Sequence, residues 1–308
     1  MKATAPTLNA PPAIACAPVA EKSLAVVLSE LFKVRLTTLV LLTTLAGFYL
    51  GSRGPVSRGL MFSTVLGAAL LAGGASALNQ LLEREHDARM RRTQDRPLPS
   101  GRLTPEAVLM IGGVCAGAGL VWLALAVNLL TALLGAITLG SYVFIYTPLK
   151  RVTTLNTAIG AIPGAIPPLM GWTAARGEIS AEGWSLFAII CFWQLPHFLA
   201  IAWMYRDEYA KAGFIMLPVV DAGGERTGRQ ALCHTLGLLP VSLAPFLYHL
   251  AGPVYLCGAL VLGAAFVWRA FQFARQRTLH RARALFYASI LYLPVLFGLM
   301  VLDKTGNG

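Results

Sequence analysis

Nine runs of apolar residues, each near the ~20 that a helix needs to cross a bilayer, follow one another along the chain. They are 31–51, 60–82, 107–127, 129–147, 153–174, 184–204, 231–250, 252–269 and 284–302. In hydrocarbon every backbone N–H and C=O needs a partner within the chain, so each run is expected as a helix. The expected fold is all-α, a polytopic membrane bundle of nine transmembrane helices in one domain over 26–303. Small residues, as in GGASA (73–77) and GGVCAGAG (112–119), allow close helix approach. Residues 1–25 are rich in Ala and Pro, with Pro6, Pro11, Pro12 and Pro18. They read as a disordered tail rather than a signal or transit peptide.

Composition agrees with the pattern. The chain is 56% hydrophobic and 13% charged, where a soluble domain has about 25% charged residues. The net charge is +11, but the basic residues sit in short segments between apolar runs. With the N-terminus placed in the cytoplasm, 21 of the 25 Lys and Arg fall on the cytoplasmic side. This is the asymmetry that orients membrane proteins. It predicts a multi-pass protein of a bacterial inner membrane, N-terminus cytoplasmic and C-terminus external, with no nucleic-acid partner. The five cysteines, Cys16, Cys115, Cys191, Cys233 and Cys257, form no CxxC pair and read as small hydrophobes.

Two polar interruptions change the picture from scaffold to chemistry. The loops 83–106 and 205–230, both expected on the cytoplasmic face, hold nine of the fourteen acidic residues. Orientation does not require this, because acids contribute little to topology. Asn79, Glu83 and Asp87 are four apart, which places them on one helix face. Asp207 and Glu208 begin the second loop. If the loops fold over each other, two carboxylate sets repel unless a cation lies between them. Oxygen ligands without Cys or His suit Mg²⁺ bound through Glu83, Asp87, Asp207 and Glu208 plus substrate phosphates. Arg91, Arg92, Arg96, Lys150, Arg151 and Lys211 can take the remaining diphosphate oxygens. Singly, each arginine reads equally as a topological anchor; the arrangement together reads as a site.

The spacing N-x-x-x-E-x-x-x-D resembles the N-x-x-x-D-x-x-x-D motif of UbiA-type intramembrane prenyltransferases. Within that superfamily five stretches in order resemble the protoheme IX farnesyltransferases, or heme O synthases. They are MRRTQDRPLPSGR (90–102), YTPLKR (146–151), TTLNTAIGAIPGAIPPLMGW (153–172), WQLPHFLAIAW (193–203) and DEYAKAGFIMLPVV (207–220). The resemblance covers roughly 30 to 300. It departs at Glu83, where the motif has Asp, and at Glu208, where the family usually has a second Asp. Both keep the carboxylate on an arm longer by one methylene.

The resemblance implies an enzyme of heme biosynthesis, an alkyl transferase that moves a farnesyl group from farnesyl diphosphate to a heme b vinyl group, with water added, giving heme O. Mg²⁺ and basic residues would stabilise the departing diphosphate, and a dry apolar cavity would keep water from the allylic cation. Heme b enters as substrate rather than permanent cofactor, and a downstream heme-modifying enzyme or oxidase assembly factors follow as partners. His197, inside a membrane segment beside Pro196, is a functional candidate by position. It can meet heme, or be a neutral His bonded to a carbonyl that the proline frees. Trp193 reads as core or pocket wall on the acceptor side, and Asn156 as a polar contact at the pocket mouth. Pro163, Pro167 and Pro168 are expected to break the fifth segment. The competing readings are a UbiA-type enzyme with another acceptor and a polytopic transporter. A transporter would more often carry ionisable groups at mid-membrane.

Overall fold

The structure, a computed structural model, describes residues 22–305. Residues 1–21 of the expected tail, with Cys16, lie outside the described residues. The chain is ordered earlier than expected, with α1 over Leu24–Leu31. There follow α2 (Val34–Gly51), α3 (Arg58–Asp87), α4 (Pro105–Ala126) and α5 (Leu129–Gly140). A π-helical stretch, Ser141–Tyr146, and one further turn, α6 (Thr147–Leu149), continue α5. The remainder is α7 (Asn156–Arg176), α8 (Ala181–Met204), α9 (Arg206–Lys211), α10 (Leu217–Val220), α11 (Glu225–Leu247), α12 (Pro253–Arg275) and α13 (Leu279–Leu302).

Among the described residues, eight helices are long and apolar enough to cross a membrane. The remaining expected segment, the fifth, is α7, a 21-residue helix whose prolines and glycines lower its hydropathy. Several helices begin where a side chain caps the free N–H groups. Thr104 takes a bond from Ala107 N at 3.2 Å ahead of Pro105, and Asn128 takes one from Thr131 N at 2.8 Å.

The expected break in α7 does not occur. One helix runs through Pro163, Pro167 and Pro168, and α8 runs through Pro196. Packing holds α7 together. A Cβ at Gly171 would fall on Thr44 O, and one at Gly47 on Pro168 O, so α2 and α7 touch backbone to backbone. On the other side the Gln194 amide of α8 sits in the notch at Gly164 and donates to Ala161 O at 3.2 Å.

Between helices in lipid the hydrophobic effect is absent, so dispersion contacts and interhelical hydrogen bonds hold the bundle. Asn128 Nδ2 reaches Thr173 O at 2.9 Å, Thr131 and Thr173 hydroxyls meet at 2.9 Å, and Tyr255 donates to Ser242 O at 2.7 Å. Such bonds contribute about 0.6–2 kcal/mol each. The largest buried cluster joins α7, α8 and α11 to α13 around Trp172, Tyr255, Phe266 and Tyr292.

Candidate functional site

The last three turns of α3 carry Asn79, Glu83 and Asp87 on one face, and all three are buried. Buried carboxylates need partners, and the surrounding elements deliver them. Lys150, just past α6, holds Glu83 at 2.8 Å. Arg96 holds Asp87 at 2.6 Å, while Asp87's own carbonyl takes the Thr93 hydroxyl at 2.8 Å and folds the loop back. Asn79 donates to Thr147 at 3.0 Å and accepts from Lys33 Nζ at 2.7 Å.

Lys33 lies between α1 and α2 with φ 48°, in the left-handed region that costs a non-glycine residue about 1–3 kcal/mol. From this turn its side chain reaches into the site, to Asn79. Burial pushes its pKa down to about 7; the Arg96 charge adds to this and the Glu83 charge opposes it. Burial also works against the charge on Lys150, but Glu83, with Tyr146 and Tyr142, outweighs it and holds the ammonium above the usual lysine range.

The loop after α8 closes over this ladder as a strap. Ile215 N bonds Lys150 O at 2.7 Å, Asn156 Nδ2 bonds Ile215 O at 2.9 Å, and His86 Nδ1 meets Ala212 O at 2.6 Å. The strap presents Tyr209, Phe214 and Met216 inward, against Met90. Together with Lys33, Glu83, Asp87, Arg92, Arg96, Tyr146 and Lys150 they line a cavity of about 80 Å³. Pockets that engulf a drug-sized ligand are about 300–1,000 Å³. A long prenyl diphosphate therefore requires the strap or its walls to move.

Asn79 is buried behind Lys33, and of the other expected residues the structure gathers Glu83, Asp87, Arg92, Arg96 and Lys150 around one cavity. Asn156 is buried behind it as a strap anchor. Asp207 points to solvent, its side chain 89% exposed beside Arg206, and Glu208 touches only the backbone N of Arg92, at 3.4 Å. The anticipated face-off of two acidic sets is absent from this conformation. α9 buries no residue: Tyr209 alone packs, half-buried, against the cluster around Met90, and Asp207 lies on the side away from it. Arg91 and Lys211 are exposed as well, and Arg151 donates to Leu82 O at 2.7 Å.

His197 and Trp193 lie outside the cavity, on the α8 face that meets α13. His197 Nδ1 meets the Ser289 hydroxyl at 2.7 Å, and its ring stacks between Trp193 and Phe286, at 4.9 and 5.1 Å. The bond expected to a proline-freed carbonyl is thus made to a hydroxyl on another helix. Sequence reasoning passed over Lys33, counted there only as an orienting charge. It also passed over Tyr146, Thr147, Tyr209, Phe214 and Met216, although the stretches 146–151 and 207–220 contain them; attention went to their charges.

Residues 40–293 match the UbiA prenyltransferase family. The chain belongs to that family. It is a multi-pass integral membrane protein. The protoheme IX farnesyltransferase of Solibacter usitatus is 48% identical over 287 residues, 90% of this chain and 98% of that protein. That of Koribacter versatilis is 44% identical over 293 residues, 90% and 93% of the two chains. Among solved structures, a digeranylgeranylglyceryl phosphate synthase aligns with TM-score 0.77 at 15% identity, over 91% of this chain and 98% of that one. A UbiA homolog from Archaeoglobus fulgidus, bound to GPP and Mg²⁺, aligns with TM-score 0.64 at 16% identity, over 89% and 99%. At such identities the likeness establishes the UbiA fold.

For this UbiA-family chain the donor set can be tested against a divalent cation. Among the described residues no three His, Cys, Asp or Glu side chains stand together as a metal cage. Mg²⁺ does not need one, since it commonly takes one or two carboxylates and completes its shell with water and phosphate oxygens. Glu83 and Asp87 supply that number. Asp87 Oδ1 is buried with no hydrogen-bond partner, an acceptor that is expensive to leave unused. The residues fit a substrate-borne Mg²⁺.

Proposed function

We propose that the chain transfers a farnesyl group from farnesyl diphosphate to a vinyl group of protoheme IX, with addition of water, giving heme O. The observation that carries the diphosphate half is the buried Asn79–Glu83–Asp87 ladder, matched by Lys33, Lys150 and Arg96 at one end of an apolar bundle. The acceptor and the chain length of the donor rest on the relatives, 43–48% identical and named protoheme IX farnesyltransferase.

Lys150 and Arg96 would exchange their carboxylates for diphosphate oxygens when that anion arrives, with Lys33 and Arg92 beside them. That exchange would free Glu83 and Asp87 to hold Mg²⁺. The bound ion would supply Lewis-acid neutralisation of the charge that grows on the leaving diphosphate. The cations of the chain would act on that same charge in a mostly buried site, where they are stronger than in water. Tyr146, Tyr209 and Phe214 line the cavity with Lys150 or Arg92 over their rings, and once those cations move to the diphosphate the aromatic wall would shield a developing allylic cation from water. Asp207 and Glu208, with Lys211 and Arg91, stand at the rim and would join as the strap moves. Asn79 would position the ladder through Lys33 and Thr147.

On the acceptor side, His197, half-buried between Trp193 and Phe286 with Nδ1 on Ser289, would offer its Nε2 nitrogen to heme. Twenty-one of the 25 Lys and Arg on the expected cytoplasmic side support a mouth facing the cytoplasm, and the bacterial relatives support an inner membrane. A heme-modifying enzyme or an oxidase assembly factor would receive the product.

The test is to incubate the purified protein in bilayer discs with farnesyl diphosphate, heme b and Mg²⁺, and to look for the hydroxyethylfarnesyl heme by mass spectrometry. Product that disappears on chelation is expected. Absence of product from folded protein, with farnesyl transfer to some other acceptor, would overturn the heme assignment.

A further inference from the structure

The turn between α12 and α13 carries a positive charge that the reaction does not use and that orientation and helix capping use only in part. Arg269, Arg275, Arg277, Arg281 and Arg283 fall within fifteen residues, with His280 among them, and no acidic residue occurs between Glu225 and Asp303. Among the described residues none of these arginines makes a salt bridge. Neutral groups order them instead. Gln272 Oε1 accepts from both Arg269 Nη1, at 3.3 Å, and Arg281 Nη1, at 3.2 Å. Gln276 Oε1 takes Arg281 Nε at 3.0 Å, and Arg277 is tied to Ala274 O at 3.0 Å. Two guanidinium groups are therefore held on one uncharged oxygen, against their mutual repulsion.

The helix start compounds the imbalance. A helix N-terminus carries a partial positive charge and favours acids. The first turn of α13 has none, and His280, Arg281 and Arg283 follow directly. An anion at this place would relieve both terms. Beside it, the exposed rings of Trp268 and Phe271 stack at 5.8 Å, and the Arg275 guanidinium lies 5.8 Å from the centre of the Phe271 ring. Exposed aromatics at a helix end mark the level of lipid headgroups. The orienting role of basic residues accounts for their sign, but not for glutamine-ordered arginines at an acid-free helix start.

We propose that the α12–α13 turn is a binding site for the phosphate of an anionic membrane phospholipid. Arg281 and Arg269 would bond the phosphate oxygens, with Arg275 and Arg283 flanking. Trp268 and Phe271 would lie along the upper acyl chain. Basic pockets between membrane helices on the cytoplasmic side bind such headgroups, and the guanidinium fork matches phosphate. Phosphate is the shared chemistry, and depth in the bilayer selects a lipid over a free ion.

The test uses the full-length protein in discs of phosphatidylcholine, with or without phosphatidylglycerol, and counts lipids retained through native mass spectrometry. Phosphatidylglycerol is expected to be retained selectively and to raise Tm. The Arg269→Gln/Arg281→Gln/Arg283→Gln variant should weaken retention at least about tenfold. A variant of equal charge change, Arg84→Gln/Arg89→Gln/Arg226→Gln, should keep it. Equal loss in both variants would overturn the proposal in favour of diffuse surface potential. So would an equal Tm rise from inorganic phosphate in phosphatidylcholine discs, which would assign the site to free phosphate. Retention that ignores headgroup charge would overturn it outright.

Discussion

The ends of α3 and α8 open onto the same cavity, yet they treat their acids in opposite ways. On α3 the acids are turned inward and buried, each on a cation from elsewhere in the chain. After α8 the acids are turned to water, and tyrosine, phenylalanine and methionine face the cavity. One side is an electrostatic floor formed before substrate arrives, and the other is a movable aromatic cover. Preorganised charge costs no reorganisation at the moment of reaction, whereas a cover must yield to admit substrate. The two acidic loops look alike in sequence because both are polar; they differ in which residues they bury.

The sharpest way to break this contrast is to remove an acid from the floor. Asp87→Asn should lower farnesyl transfer about 10²–10³-fold, a loss typical of one preorganised electrostatic group. Expression and the helical circular dichroism spectrum should hold. Turnover within threefold of the parent would take Asp87 out of the floor.

Next comes Lys150→Met, which strands Glu83 in the interior without its partner. Removing one member of a buried pair costs about 3–5 kcal/mol, so a marked drop in Tm is expected together with loss of diphosphate binding. Lys150→Met/Glu83→Gln should recover much of the Tm but none of the activity. Failure of the double variant to recover Tm would mean that the pair is not the reason for the instability.

Lys33 supplies a pH test of the floor. Its folded pKa of about 7 lies below the ordinary 10.5. Below pH 7 it is charged folded and unfolded, and the burial penalty is fully present. Between about 7 and 10.5 the unfolded chain keeps the proton and the folded one does not, so stability rises with pH through this window. Lys33→Gln should flatten that rise in Tm measured from pH 6.5 to 8.5. An unchanged slope would show that Lys33 stays charged, and that the floor is more solvated than its geometry implies.

On the cover, smaller effects are expected. Tyr209→Ala opens the aromatic roof and removes the hydroxyl that Arg92 reaches at 3.2 Å. Transfer should fall about tenfold or less, with released farnesol rising as water enters, since exclusion of water guards a reactive cation. A fall without farnesol would make Tyr209 a matter of substrate affinity alone.

The fold was legible because lipid leaves the backbone few choices, and the apolar runs report them. The expectation of a broken α7 arose from reading prolines locally; Gly47, Gly164 and Gly171 let α2 and α8 press against the helix and hold it whole. The α3 ladder was legible because a four-residue spacing is a geometric statement. Lys33 was not, since its entry depends on one left-handed backbone angle. Nor was the inward turn of Tyr209 and Phe214, because the charged residues around them dominate any reading by composition.

Asp207→Asn offers the smallest effect and the finest distinction. With its side chain 89% exposed and only Arg206 nearby, at 3.7 Å, the carboxylate has no contact with the cavity here. If the strap stays in this pose around substrate, the substitution should change kcat and KM by no more than about threefold, as surface substitutions usually do. If the strap turns α9 as it closes, Asp207 and Glu208 would swing toward the freed Glu83 and Asp87. The loss would then approach that of Asp87→Asn and depend on Mg²⁺ concentration. Measuring kcat and KM for both variants across a Mg²⁺ titration separates the cases, because a rim charge leaves the Mg²⁺ midpoint unmoved. A shifted midpoint would merge the two regions into one metal site and erase the contrast between floor and cover.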